Sequence, residues 1–192
     1  MPVAVSLLTS DGYLILRRRA QRATFAAGRL ESAANGNPEI RGLDGSKCDR
    51  TEDGLIDLAS AAKRELLEEL GPVPLVSPPR AACLIIASND EEVGSPAVLF
   101  EARTSLDARA LRERFGEADP VEGYHESSGE LVALPITPAA IAQSLDFVLT
   151  EADIRPIARA ASLIALLGHT LSVGAGDIPR SSDRDAILHI ER

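Results

Sequence analysis

Two apolar runs near the N-terminus, Val3 to Thr9 and Tyr13 to Arg18, are separated only by Ser10-Asp11-Gly12. An Asp-Gly step between two strand-like runs leaves room for little but a reversal, so an antiparallel hairpin is predicted. Ala81 to Ser88 and Pro96 to Ala102 read as two further strands around the acidic turn Asn89 to Gly94, and Leu131 to Ile136 as a last one. Between them the period changes. Leu58, Ala62, Leu66 and Leu70 recur every four residues after Asp57, a capping residue, and before Gly71-Pro72, a stop. Ser105 to Phe115 is predicted to be a second helix, capped by Ser105 and closed by Gly116. Thr137-Pro138 is a helix start. Thr150 to Leu167 is predicted to be another helix, kinked or delayed by Pro156 and ended by Gly168. Helices interleaved with strands that also meet through short turns argue for a mixed-sheet α/β or α+β domain rather than a doubly wound one.

Gly28 to Gly54 shows no period, and is predicted to be an elaborated loop holding one short strand. Apolar residues are 45% and charged ones 26% of 192, which excludes a disordered or fibrous chain and suits one domain with at most an appendage. The domain is assigned to residues 1–168 and a C-terminal tail to 169–192. Aromatics are only 3%, with no Trp, so Leu, Ile, Val and Ala must fill the core. A net charge of −9 argues against nucleic acid as a partner, and no apolar run reaches membrane-spanning length. No basic region precedes the first apolar stretch, and Cys48 and Cys83 are too few for a disulfide framework. A cytoplasmic location is expected.

The chemistry concentrates in Arg64-Glu65-Leu66-Leu67-Glu68-Glu69-Leu70-Gly71. At helical pitch Glu65 lies one turn from Glu68 and Glu69, so three carboxylates share an arc, with Arg64 one turn from Glu68. Their mutual repulsion needs compensation. Mg²⁺ is a natural one, because hard cations prefer carboxylate oxygen and retain waters that a phosphate can replace. The plainer alternative is a solvated acidic face.

This string fits the end of the Nudix box, G-x(5)-E-x(7)-R-E-U-x-E-E-x-G-U with U aliphatic, and the chain thereby resembles the Nudix hydrolase family. Ala61-Ala62 before Lys63-Arg64, the N-terminal hairpin and the element order also resemble that family, over roughly residues 3–168. The front of the box departs from it: its first Glu falls on Ile56, its first Gly on Arg50 and its closing aliphatic on Pro72. Either Glu39, Glu52, Asp53 or Asp57 replaces that Glu, or that ligand is absent. Glu52 and Asp53 rank first, because Asp57 is engaged as a cap. The resemblance implies an α/β/α sandwich with a mixed sheet, Mg²⁺ or Mn²⁺ held by Glu65, Glu68 and Glu69, and Arg64 orienting them. It further implies an additional acid, Glu126, in the loop before the last strand, as ligand or base, with Glu122 a weaker choice and His125 a phosphate contact or plain surface. The broken front half is similar to that of enzymes that cleave nucleotide sugars.

Arg17, Arg18, Arg19 and Arg22 form a basic cluster. Alternation along a strand splits Arg18 from Arg17 and Arg19, and most of the cluster is expected to be solvated. Cys83 reads as a small core hydrophobe, and neither cysteine as a nucleophile. The expected activity is Mg²⁺-dependent hydrolysis of a small-molecule nucleoside diphosphate derivative, a nucleotide sugar first and ADP-ribose second. The rivals are a catalytically weakened Nudix-fold binding or regulatory protein and an unrelated α/β protein. The Ala-rich helix 150–168 serves either a homodimer interface or the cover of the sheet.

Overall fold

A computed structural model describes residues 1–21, 23, 26–40, 49–87, 95–117, 127–172 and 187–190. Within them the hairpin forms from β1 (Val3–Leu8) and β2 (Tyr13–Arg19). Its turn is held by Thr9, whose Oγ1 accepts from the Tyr13 amide at 2.9 Å, and by Gly12 at φ 88°, where a Cβ would be strained. The two strands pair only near the turn, through Leu7 with Ile15 and Leu8 with Leu14. Beyond it they splay apart. Two short strands fill the gap, β3 (Leu30–Ser32) against β2 and β4 (Ala34–Gly36) against β1. Among its described residues the aperiodic segment therefore holds two strands rather than one.

The helix α1 (Leu58–Leu70) is capped as predicted: Asp57 Oδ1 accepts from the Ala59 and Ser60 amides, both at 3.0 Å, and Gly71 closes it at φ 76°. After it come β5 (Arg80–Ala87), β6 (Ser95–Arg103), α2 (Ala108–Glu117), β7 (Ser127–Pro135), α3 (Ile141–Thr150), α4 (Pro156–Ser172) and β8 (Leu188–Ile190). The sheet runs β5-β6-β1-β2-β7-β8 and is mixed, because β1 and β6 are parallel while the other pairings are antiparallel. β8, from the tail, pairs with the outer side of β7.

All six residues of β1 are buried, as a strand covered on both faces requires. Val3, Val5, Leu7, Tyr13, Ile15 and Ala133 pack with Ala62, Leu66 and Leu70 of α1 and Leu111 and Phe115 of α2. Their neighbours Leu8, Leu14, Leu16, Val132 and Leu134 pack with Val148 of α3 and Ala158 and Leu166 of α4. The result is an α/β/α sandwich with a mixed sheet, as expected. Cys83 is half-buried against a small cluster of Ala4, Leu99 and Ala161. Among the described residues no helix is long and apolar enough to cross a membrane.

Several boundaries differ from expectation: α2 runs past Gly116 to Glu117, and β7 begins at Ser127, ahead of Leu131. α2 starts at Ala108, not Ser105, because Asp107 Oδ1 takes the Ala110 amide at 2.6 Å and Asp11 of the hairpin turn takes the Ala108 amide at 3.1 Å. α3 starts at Ile141, a turn after the Thr137-Pro138 signal. α4 begins at Pro156, whose missing N–H costs nothing at a first helical position, and runs through Gly168 to Ser172. Packing on the sheet overrides one glycine's weak helix preference. Arg159 of α4 donates to the carbonyls of Val148, Leu149 and Glu151, covering the end of α3.

The cap assignment is testable. Asp107→Ala should destabilise the protein by about 1 kcal/mol in urea unfolding and Ser105→Ala by less than about 0.5 kcal/mol; the reverse order would restore Ser105 as the cap.

Candidate active site

One edge of α1 faces β4 and the segment that precedes the helix. Glu65 lies over Gly36 so closely that a Cβ there would fall 2.0 Å from Glu65 Oε1. Any side chain there would have to push that carboxylate aside. Arg64 gathers the neighbouring groups: its Nη1 donates to Glu68 at 2.8 Å, and its Nη2 to the Asn37 carbonyl at 2.8 Å and to Asp49 at 3.0 Å. The same Nη2 lies 3.0 Å from Glu65 Oε1. Burial alone works against the Arg64 charge, but Asp49, Glu65 and Glu68 together hold it firmly protonated.

Asp49 is the acid that sequence reasoning missed. Buried at 5% exposure, it accepts from Arg64 and, at 2.8 Å, from the Glu39 amide. Its own carbonyl takes the Asp57 amide at 2.8 Å, which ties the segment to the start of α1. The four acids considered for the missing box Glu lie elsewhere. Glu52 and Asp53, ranked first, sit on an exposed turn where Asp53 accepts from Thr51. Asp57 is the helix cap, and Glu39 approaches Arg64 Nη1 only to 4.0 Å. The turn at 51–55, held by Thr51, points its acids to solvent while Asp49 lies on the inner side.

Glu69 faces the sheet. Its Oε1 accepts from Arg17 Nη2 of β2 at 2.8 Å, and that nitrogen also reaches Glu31 Oε2 of β3 at 3.2 Å. Glu31 has no exposed surface and takes further donors from Arg19 at 3.0 Å, Asn35 at 2.9 Å and Arg155. Burial would push its carboxyl up, but Arg17, Arg19 and Arg155 outweigh that and hold it below its ordinary value. Of the arginine cluster, Arg17 and Arg19 are therefore not solvated surface, being 0% and 5% exposed. Strand alternation puts both on the α1 side, while Arg18 turns the other way to Glu130. Arg22, Glu122, His125, Glu126 and Cys48 lie outside the described residues.

The solvated-face reading fails on burial. The side chains of Glu65, Glu68 and Glu69 are only 10%, 14% and 7% exposed, and each is paired with an arginine. As a donor set they fit a hard divalent cation: three carboxylates on one arc, with a glycine cradle under Glu65. In the arrangement held by Arg17 and Arg64, however, no group of three or more His, Cys, Asp or Glu side chains among the described residues is gathered to hold an ion. A cavity of about 850 Å³ opens beside Lys63, Arg64 and Leu67, between α1, residues 71–78 and Arg114; Arg64 lines it, but none of the three carboxylates does.

No protein-family model matches the chain, and no curated protein matches its sequence. Among solved structures, DR0079 from Deinococcus radiodurans is similar at 17% identity over 85% of this chain and 80% of that one, with a TM-score of 0.46. A MutT protein from Methanosarcina mazei Go1 is similar at 15% identity over 88% of this chain and 93% of that one, with a TM-score of 0.45. Similarity at this level assigns no activity.

Two predictions follow from the charges. Burial pushes the Glu65 carboxyl up to about 7; Arg64 opposes the shift, and Glu68 and Glu69 add to it. The folded state therefore holds this proton more tightly than the unfolded one, and that contribution is lost as pH rises from about 4.5 through about 7. In EDTA, Glu65→Gln should melt with the wild type near pH 4 and a few degrees above it at pH 8; equal melting at both values would refute the charge strain. Glu31→Ala leaves three guanidiniums facing one another, and should lower unfolding free energy by roughly 3–5 kcal/mol in denaturant titrations.

Proposed function

We propose that the protein is a divalent-metal-dependent hydrolase of the Nudix type. Its substrate is a nucleoside diphosphate joined to a second moiety, with a nucleotide sugar ahead of ADP-ribose. The observation that carries this reading is Arg64. The R-E-L-L-E-E-L-G string lies on one helix, and its arginine joins Glu65, Glu68 and a displaced acid, Asp49, at 2.8–3.0 Å. A half-buried arginine that orders carboxylates from two segments is a positioning device, and a solvated helix has no use for one. Asp49 thus stands in for the missing first box Glu as the partner of Arg64.

Glu65, Glu68 and Glu69 would hold Mg²⁺ or Mn²⁺, which supplies Lewis-acid polarisation of a phosphoryl oxygen and offsets the diphosphate charge. The protein's own part is positional. Arg64 holds Glu68, Gly36 seats Glu65, and the Glu31 network sets the wall behind Glu69. Glu126 is assigned as a further ligand or proton acceptor; it precedes β7, which begins at Ser127 opposite Arg19. The nucleotide-sugar preference rests on the broken box.

A second reading, a Nudix-fold protein that binds its nucleotide without efficient turnover, is favoured by one observation: the carboxylates are not gathered into a group of three. A turnover assay with Mg²⁺ against a panel of nucleotide sugars and ADP-ribose separates the two. The hydrolase reading expects hydrolysis that Glu68→Gln reduces roughly a hundredfold or more while leaving the fold intact. Binding without turnover across the panel would select the second reading, and wild-type turnover by the variant would remove Glu68 from the site.

A further inference from the structure

Arg17 is the largest fully buried side chain in the protein's described residues, and most of its hydrogen-bonding capacity is unused. Its Nε and Nη1 are buried without a partner, and only Nη2 is engaged, by Glu31 at 3.2 Å and by Glu69 at 2.8 Å. Glu31 has other donors besides it, since Arg19, Arg155 and Asn35 also donate to that carboxylate. The shorter contact goes to α1. Burying a guanidinium with two idle nitrogens is costly, and the charge cannot be shed, because arginine does not deprotonate in proteins. What the arrangement achieves is a permanent positive charge against one carboxylate of the acidic arc.

We propose that Arg17 is an internal cation that occupies Glu69 and competes with a divalent cation for it. The inference rests on the proposed hydrolase reading only in taking Glu65, Glu68 and Glu69 as the place where a cation would bind. Loading then requires Glu69 to leave Arg17 and turn toward Glu65 and Glu68, and Arg17 keeps the affinity of the site low. This accounts for a donor set right in kind but not gathered in place. Arg64 is a different case: its contacts lie among Glu65, Glu68 and Asp49, where it orders the arc, whereas Arg17 pulls one member toward the sheet.

The test is Mg²⁺ titration calorimetry on the full chain, wild type, R17M and R17K, with thermal melts in EDTA to verify folding. Removing a positive charge next to a site for a doubly charged ion should tighten R17M roughly tenfold or more. R17K keeps the charge, and should stay within about threefold of the wild type. Equal or weaker binding in R17M overturns the inference, as does R17K tightening as much as R17M. Wild-type binding by itself bears on the hydrolase reading, and the ratio of variant to wild type bears on Arg17. Binding that is equal in both therefore sinks the inference and leaves the hydrolase reading standing. Binding in R17M alone supports the inference and moves the function toward the non-hydrolytic reading. No binding in either overturns both. If R17M does not fold, a crystal of the wild type soaked in Mn²⁺ decides the matter. The anomalous peak should lie on α1 with Glu69 moved out of hydrogen-bond reach of Arg17; an ion held on α1 with the 2.8 Å pair intact overturns the inference.

Discussion

Glu31 is a carboxylate with no exposed surface, and much of the site is arranged around keeping it charged. An ionised carboxylate is tolerable in a protein interior only when its lone pairs are met by donors, preferably cationic ones. The register of β2 with β3 sets Arg17 directly opposite Glu31, and the two-residue period brings Arg19 to the same face. Arg155, at the entry to α4, and Asn35, on β4, complete the shell. The pairing therefore links two neighbouring strands, the short strand beside them and the start of a helix. It also explains why β1 and β2 splay after two residue pairs: the opening admits β3, and with it the carboxylate.

The same logic governs α1. Three carboxylates on one arc repel each other, and a surface helix would let water screen them. Here the arc is turned inward, so arginines do the screening. Arg64 spans Glu65, Glu68 and Asp49 from within the helix and its approach segment, while Arg17 meets Glu69 from the sheet. The compensation is incomplete at Glu65, where burial and two like charges outweigh one guanidinium. A cluster balanced in this way relies on the arginines that surround it.

Local pattern made much of this legible. The hairpin, α1 with both of its caps, and the apolar runs that form the strands are all written in neighbouring residues. So is the R-E-L-L-E-E-L-G string, because helix pitch alone puts its carboxylates on one arc. Even the division of the arginines between two faces followed from strand period. Their burial did not, since a basic run looks the same whether water or a carboxylate meets it.

What tertiary structure alone decided is who meets whom. Glu31 and Asp49 sit in an aperiodic stretch, and nothing adjacent distinguishes them from Glu39, Glu52 or Asp53. Strand register selected Glu31, and a turn at Thr51 sent its neighbouring acids to solvent while leaving Asp49 inside. Likewise Asp107 displaced Ser105 as a cap because the hairpin's Asp11 fixed where α2 begins. Periodicity acts between residues a few positions apart, and the chain carries that information openly. A charge pair across 52 positions, such as Arg17 with Glu69, comes into being only when the sheet and helix are packed, because burial supplies both the need for a partner and the partner itself.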